Sequence, residues 1–311
     1  MTETSKGGLA IAKHIASSYG DDSGVKVIFV GGSVSRGCAD EYSDLEIGIF
    51  WVERPSVRMR KAAIKRAGGE LWSLNESQGS EKWGLNEITV NGKSYAGMLM
   101  VSTIHLSVTE TETRLSDVID CYDTDIEKQG LLSAIQHGFP LHGTAILGRW
   151  RARASAYPDE LARRMVRENL WMAPWFCPEQ YIGRDDLIVL YDHYIQIAQG
   201  ILKVLSGLNR VYYATPYTKW MDWLIQQMPI APPDLSVRLK SIFHAGAASA
   251  WIELKALVFE TLCLVEDHMA DVGTPVSGEK NPPHVNIAWA KRRWMPHSPY
   301  SLMRNIAAAE Y

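Results

Sequence analysis

The chain has 311 residues, 46% apolar and 22% charged, with a net charge of −3 at pH 7; that is room for two ordinary domains or one large one. The slightly acidic balance gives no electrostatic footprint for nucleic acid, which is not expected as a partner. No apolar stretch reaches the length of a membrane span and MTETSKGG is no signal-peptide pattern, so no membrane partner and a cytoplasmic location are expected.

Apolar residues at 9, 11, 12, 15 and 16 give a helical period over residues 9–19. Residues 25–30, VKVIFV, form a short β-branched run bounded by glycine, which reads as a buried strand. Gly31, Gly32 and Ser33 follow as a turn whose N–H groups and hydroxyl suit a phosphate. A second apolar strand, residues 45–52, is entered through Ser43-Asp44-Leu45-Glu46. Side chains alternate along a strand, so Asp44 and Glu46 share a face while Leu45 and Ile47 point to the core. Two carboxylates so close repel unless a cation lies between them. Mg²⁺, held by one or two carboxylates together with substrate phosphates, fills that role.

Residues 57–67 form a basic helix, serving either as a solvated face or as attraction for a triphosphate. Residues 83–90, Asn91-Gly92 and Lys93 read as a hairpin, and residues 98–108 as a further strand. A helical stretch begins at 115–121 and resumes through 131–137, and residues 139–143 read as a turn. Beyond 145, helical spacing dominates: the 160s to 171, 185–205, 217–227, 235–243 and 247–270, separated by prolines. The tail from 273 is rich in proline and is expected to drape over the body, since Trp289, Trp294 and Tyr300 are costly to leave in water. The four cysteines, Cys38, Cys121, Cys177 and Cys263, are scattered without a C-x-x-C pair, which points to neither a zinc site nor a disulfide scaffold. Seven of the eleven tryptophans lie in the second half, in keeping with aromatic packing or a ring-lined pocket there.

Val30-Gly31-Gly32, a spacer containing Ser33-Val34-Ser35-Arg36-Gly37, and then Ser43-Asp44-Leu45-Glu46-Ile47 resemble the signature of the polymerase-β-like nucleotidyltransferase superfamily, in particular its minimal and antibiotic-modifying members. More loosely, Tyr157-Pro158, the stretch 206–212 (SGLNRVY) and Tyr217-Thr218-Lys219-Trp220 resemble segments of the same relatives. The resemblance implies an α+β fold: a nucleotidyltransferase-type mixed sheet with flanking helices over residues 1–145, an all-helical acceptor-binding domain over 146–272, and an extended tail over 273–311. It implies Asp44 and Glu46 as catalytic metal ligands for Mg²⁺. It places ATP or another nucleoside triphosphate on Gly31, Gly32, Ser33 and Arg36, with Asn209, Tyr212 and Lys219 nearby. Asn209 also suits a helix C-terminus, and Lys219 and Arg210 read equally as exposed cations.

Such families bring a third carboxylate from a later strand, here residues 101–108, which contain no acid. His105, on one face with Thr103 and Ser107, takes that position, and its near-neutral pKa suits a general base. Glu87 and Glu110 are alternatives by sequence only. The expected activity is Mg²⁺-dependent transfer of a nucleoside monophosphate to a hydroxyl of a small-molecule acceptor. The alternatives are a non-catalytic nucleotide-binding or interaction protein on a degenerate fold, and a protein AMP-transferase of antitoxin type.

Overall fold

A computed structural model describes residues 1–19, 24–90, 93–170, 178–214 and 219–274. The chain divides into two compact units, Met1–Arg164 with Arg210–Leu224, and Met165–Asn209 with the chain from Ile225.

The first unit is built on a six-stranded mixed sheet. Its strands are β1 (Val25–Val30), β2 (Leu45–Trp51), β3 (Glu70–Asn75), β4 (Ser80–Val90), β5 (Lys93–Ser107) and β6 (Phe139–His142), in the order β3-β4-β5-β2-β1-β6. β2 and β5 run parallel and the other neighbours antiparallel. Alternation sorts the strands into two faces. Ile28, Val30, Leu45, Ile47, Ile49 and Val101 form one core, with Leu9, Ile11 and Ile15 of α1 (Glu3–Ser17) and Ile64 of α3 (Val57–Arg66). α1 starts where the Thr2 side chain accepts from the Ser5 N–H, and α3 where Ser56 accepts from Met59, each satisfying a donor the first turn leaves open.

The opposite face carries Phe29 and Phe50, stacked at 5.1 Å between ring centres, with Trp150 edge-on to Phe50 at 5.2 Å. Trp150 comes from α6 (Thr144–Ala154), so the helix beyond residue 145 belongs with the sheet. α4 (Val108–Ile119) begins in a capping box: Ser107 accepts from the Glu110 N–H and Glu110 from the Ser107 N–H. α5 (Ile126–His137) follows. Residues 139–143, expected as a turn, instead add the edge strand β6 against β1. Pro140 is tolerated there because an edge strand needs no N–H on its outer side. β4 and β5 pair as the hairpin, out to Val90 opposite Lys93. The turn Asn91-Gly92 itself lies outside the described residues, as do the tail from 275 and Trp171, Trp175, Trp289 and Trp294.

The second unit is helical. The chain leaves the first unit within α7 (Asp159–Asn169) to form α8 (Pro178–Arg184) and α9 (Leu187–Asn209), rejoins it at Arg210, and leaves it again within α10 (Met221–Gln226) to form α11 (Leu235–Ile242) and α12 (Ala247–Met269). Tyr194 of α9 stacks on Trp251 of α12, ring centres 6.2 Å apart, and its hydroxyl donates to the Ala247 carbonyl. Arg238 of α11 pairs with Glu253 and Glu260, both on α12. Among the described residues no helix is long and apolar enough to cross a membrane.

Candidate functional site

Gly31 ends the first strand by donating its N–H to the Glu46 carbonyl at 2.8 Å, which locks the glycine turn to β2. Gly32 opens the short helix α2 (Gly32–Arg36) with φ +59°, a left-handed conformation that favours glycine. A Cβ on Gly32 would stand 1.8 Å from Glu46 Oε2. The bare backbone is therefore what admits the carboxylate. Ser33 is buried in the first turn of α2.

On β5 Ser102 stands directly opposite Glu46, and its hydroxyl donates to Asp44 Oδ2 at 3.3 Å. Both acids thus lie on the Ser102 side of the sheet, beside the glycine turn. Lys219 Nζ approaches Asp44 Oδ1 at 3.3 Å, with half of the lysine side chain still exposed. Burial pushes the Glu46 carboxyl up from its ordinary range, the Asp44 charge adds to that, and Lys219 and Arg36 oppose it. Burial also lowers the Arg36 guanidinium, which Glu46 partly restores. Arg36 lies over the Trp223 ring at 4.1 Å, and Trp223 meets His137 edge-on at 4.9 Å. Burial, then the Arg36 and Arg151 charges, hold His137 below its ordinary value.

His105 is not at this site. It pairs with Ile49 across β2 and β5, on the opposite face from Glu46 and Ser102. There it is fully buried in a polar network. The Trp51 indole N–H donates to His105 Nδ1 at 3.0 Å, which leaves the imidazole proton on Nε2, 3.1 Å from Glu81 Oε2. Glu81 also takes bonds from Thr103 at 2.7 Å and Arg60 at 2.5 Å. Burial alone would raise the Glu81 carboxyl; the His105 and Thr103 bonds and the Arg60 charge outweigh it and hold it below the ordinary range. His105 is an internal tie, and the expected catalytic base is corrected accordingly. Glu110, an alternative by sequence, is spent on the α4 cap and on Arg54 at 2.6 Å. The Glu87 side chain lies outside the described residues.

Of the remaining candidates, Tyr212 is buried with its ring 4.7 Å from Tyr157. Burial pushes both phenols well up. Asn209 belongs to the second unit, where its amide donates to the Leu205 and Ile230 carbonyls and its oxygen accepts from the Ile230 N–H. Those bonds make it the C-terminal tie of α9. Arg210 is spent on Asp159 at 2.6 Å.

Sequence reasoning missed the cavity beside Glu46. It measures about 630 Å³ and lies within the first unit, in the size range of small-molecule sites. Its floor is the sheet face carrying Glu46, Gly48, Ser102 and Ile104; Lys82 of β4 and Arg114 of α4 also line it. Its helical wall is Glu127, Gly130, Leu131 and Ala134 of α5, at the i, i+3, i+4, i+7 spacing of one helix face. That spacing was the signal available in the sequence. Among the described residues no three His, Cys, Asp or Glu side chains converge as metal ligands.

Residues 124–221 match the model of a domain of unknown function (DUF4037), a stretch that includes α5 and Lys219. No curated protein matches the chain. Among solved structures, a nucleotidyltransferase-like protein from Exiguobacterium sibiricum aligns with 96% of this chain and 87% of its own, at 11% identity and a TM-score of 0.35.

Proposed function

We propose that this chain is a Mg²⁺-dependent nucleotidyltransferase that moves a nucleoside monophosphate from a nucleoside triphosphate to a hydroxyl of a small-molecule acceptor. One observation carries the reading: Asp44 and Glu46 flank Ser102 on one sheet face, hard against a glycine turn that only an absent side chain permits. The donor set fits a hard divalent ion. It offers two carboxylates and a hydroxyl, too few to enclose the ion, which suits Mg²⁺ completed by phosphate oxygens and water. Asp44 already attracts a cation, the Lys219 ammonium. Asp44 and Glu46 would hold the ion, which supplies charge neutralisation and polarisation of the phosphoryl oxygens.

The chain's own groups do the rest. Ser102 orients Asp44 through its 3.3 Å bond. Lys219 and Arg36 bring positive charge to the polyphosphate as it departs. The cavity beside Glu46 holds the acceptor out of bulk water. Glu127, a lining carboxylate in no ion pair among the described residues, is the group to receive the acceptor's hydroxyl proton.

The test is incubation of the full chain with each labelled nucleoside triphosphate, Mg²⁺ and a panel of hydroxyl acceptors, following pyrophosphate. Release that Asp44→Asn abolishes supports transfer. No release with any acceptor contradicts it. A second reading, a nucleotide-binding protein without chemistry, draws on His105 being on the far face and on Ser102 and Lys82 standing across β5 and β4 from Glu46, where no third acid lies.

A further inference from the structure

Glu46, Ser102 and Lys82 stand in one row across three neighbouring strands: Glu46 opposite Ser102 on β5, and Ser102 opposite Lys82 on β4. Directly opposed residues share a face, so all three side chains line the same cavity. Two strand spacings separate the ends of the row, about 10 Å. Charge therefore changes sign across the floor, from the carboxylates at β2 to an ammonium at β4. Arg114 of α4 lines the same cavity. Neither Lys82 nor Arg114 has an ion-pair partner among the described residues, whereas Arg54, Arg60, Lys128, Arg153 and Arg238 all do.

The volume has an identifiable origin. Gly48 on the floor, and Gly130 and Ala134 on the α5 wall, present almost no side chain to the space. A Cβ on Gly48 would meet the Phe50 ring at 2.7 Å, so that floor position is held bare by its own packing.

We propose that Lys82 and Arg114, both on the lining of this cavity, form a phosphate-binding subsite, distinct from the Asp44–Glu46 pair and independent of a divalent ion. It rests on the nucleotidyl-transfer reading for the identity of its ligand: a small molecule whose phosphate sits on Lys82 and Arg114 while its other end reaches toward Glu46. Lys82 is exposed and Arg114 half-buried, so solvent reaches the ligand, and two unpaired cations on one lining attract a polyanion more strongly than either alone, against the Glu46 and Glu127 carboxylates of the same cavity. The phosphate belongs either to the acceptor or to the tail of the nucleotide.

Inorganic pyrophosphate is the probe, titrated calorimetrically into the full chain in EDTA at low salt. The wild type should bind one equivalent, and Lys82→Met and Arg114→Met should each weaken that at least tenfold. Ala134→Leu, which fills the space from the α5 wall, should abolish it without lowering the melting temperature. Asp44→Asn should keep it while losing Mg²⁺-dependent ATP binding. No pyrophosphate binding by the wild type, or unchanged affinity in Lys82→Met and Arg114→Met, overturns the subsite. Failure of the nucleotidyl-transfer reading registers separately, as Mg²⁺-dependent ATP binding that survives Asp44→Asn. Competition between pyrophosphate and Mg²⁺-ATP identifies the phosphate as the nucleotide's; simultaneous binding of both identifies it as the acceptor's, and either result supports the subsite.

Discussion

Lys219 Nζ lies 3.3 Å from Asp44 Oδ1, joining residues 175 positions apart. The return of residues 210–224 to the first unit brings this ammonium to the start of β2, an interior strand, which Asp44 immediately precedes. The pair is half-exposed, so it stabilises the fold little; exposed pairs contribute under about 1 kcal/mol. Lys219→Met should leave the denaturation midpoint nearly unchanged while weakening Mg²⁺-ATP binding about tenfold. Calorimetry and a urea melt on the same preparation check both halves. A large stability loss with unaltered affinity would make Lys219 a structural residue.

Gly32 is the second point of leverage. Its φ of +59° and the 1.8 Å approach of Glu46 Oε2 to a would-be Cβ act together. Gly32→Ala should cost about 1–3 kcal/mol in a urea melt and displace Glu46, reducing nucleotide affinity beyond what the stability loss explains. Wild-type stability and affinity in that variant would show the turn to be more pliable than its geometry.

The Glu46 carboxyl, raised by burial and by Asp44, predicts an opposition of stability and function. A carboxyl whose folded pKa lies above its unfolded value binds more protons when folded. Its contribution is therefore present at low pH and is lost as pH rises through the folded pKa. Glu46→Gln removes that charge. It should raise the melting temperature at pH 7, shrink the gain toward pH 4, and abolish Mg²⁺-dependent nucleotide binding. Melting curves across pH test the sign; a variant less stable at pH 7 contradicts the electrostatic account.

The buried network around Glu81 predicts the opposite. Glu81→Ala strands the Arg60 charge and should cost about 3–5 kcal/mol. His105→Asp, which by sequence alone looked like restoration of a third acid, instead puts a second carboxylate beside Glu81 and should destabilise by about 3 kcal/mol or more without gaining turnover. Glu81 is held below the ordinary carboxylate range, so its stabilisation is present at neutral pH and lost as pH falls through that depressed value. Acid unfolding of Glu81→Gln should accordingly be shallower than that of the wild type.

Alternation along residues 44–47, with the glycine pair before them, was enough to place two acids at a turn. Lys219 was singled out by its charge within a short loosely similar segment, and its distance from Asp44 follows from a chain return that no local pattern encodes. His105 shows where parity reasoning ends. Residues 101, 103, 105 and 107 share a face, yet which face meets Glu46 depends on the β2–β5 register, and Ser102 holds that position. Lys82 joined the row only through the β4–β5 pairing. β3 was missed because its side chains are half or fully exposed, with no apolar alternation to mark it. Asn209 was legible as a helix end, the role it has in its own unit.

The most direct test of the central claim is calorimetric titration of ATP into the wild type, Asp44→Asn and Glu46→Gln, each in Mg²⁺ and in EDTA. The account predicts tight binding by the wild type in Mg²⁺ and at least a tenfold loss in EDTA, with both variants as weak in Mg²⁺ as the wild type is in EDTA. Equal affinity in Mg²⁺ and EDTA, or variants that bind like the wild type, would contradict it.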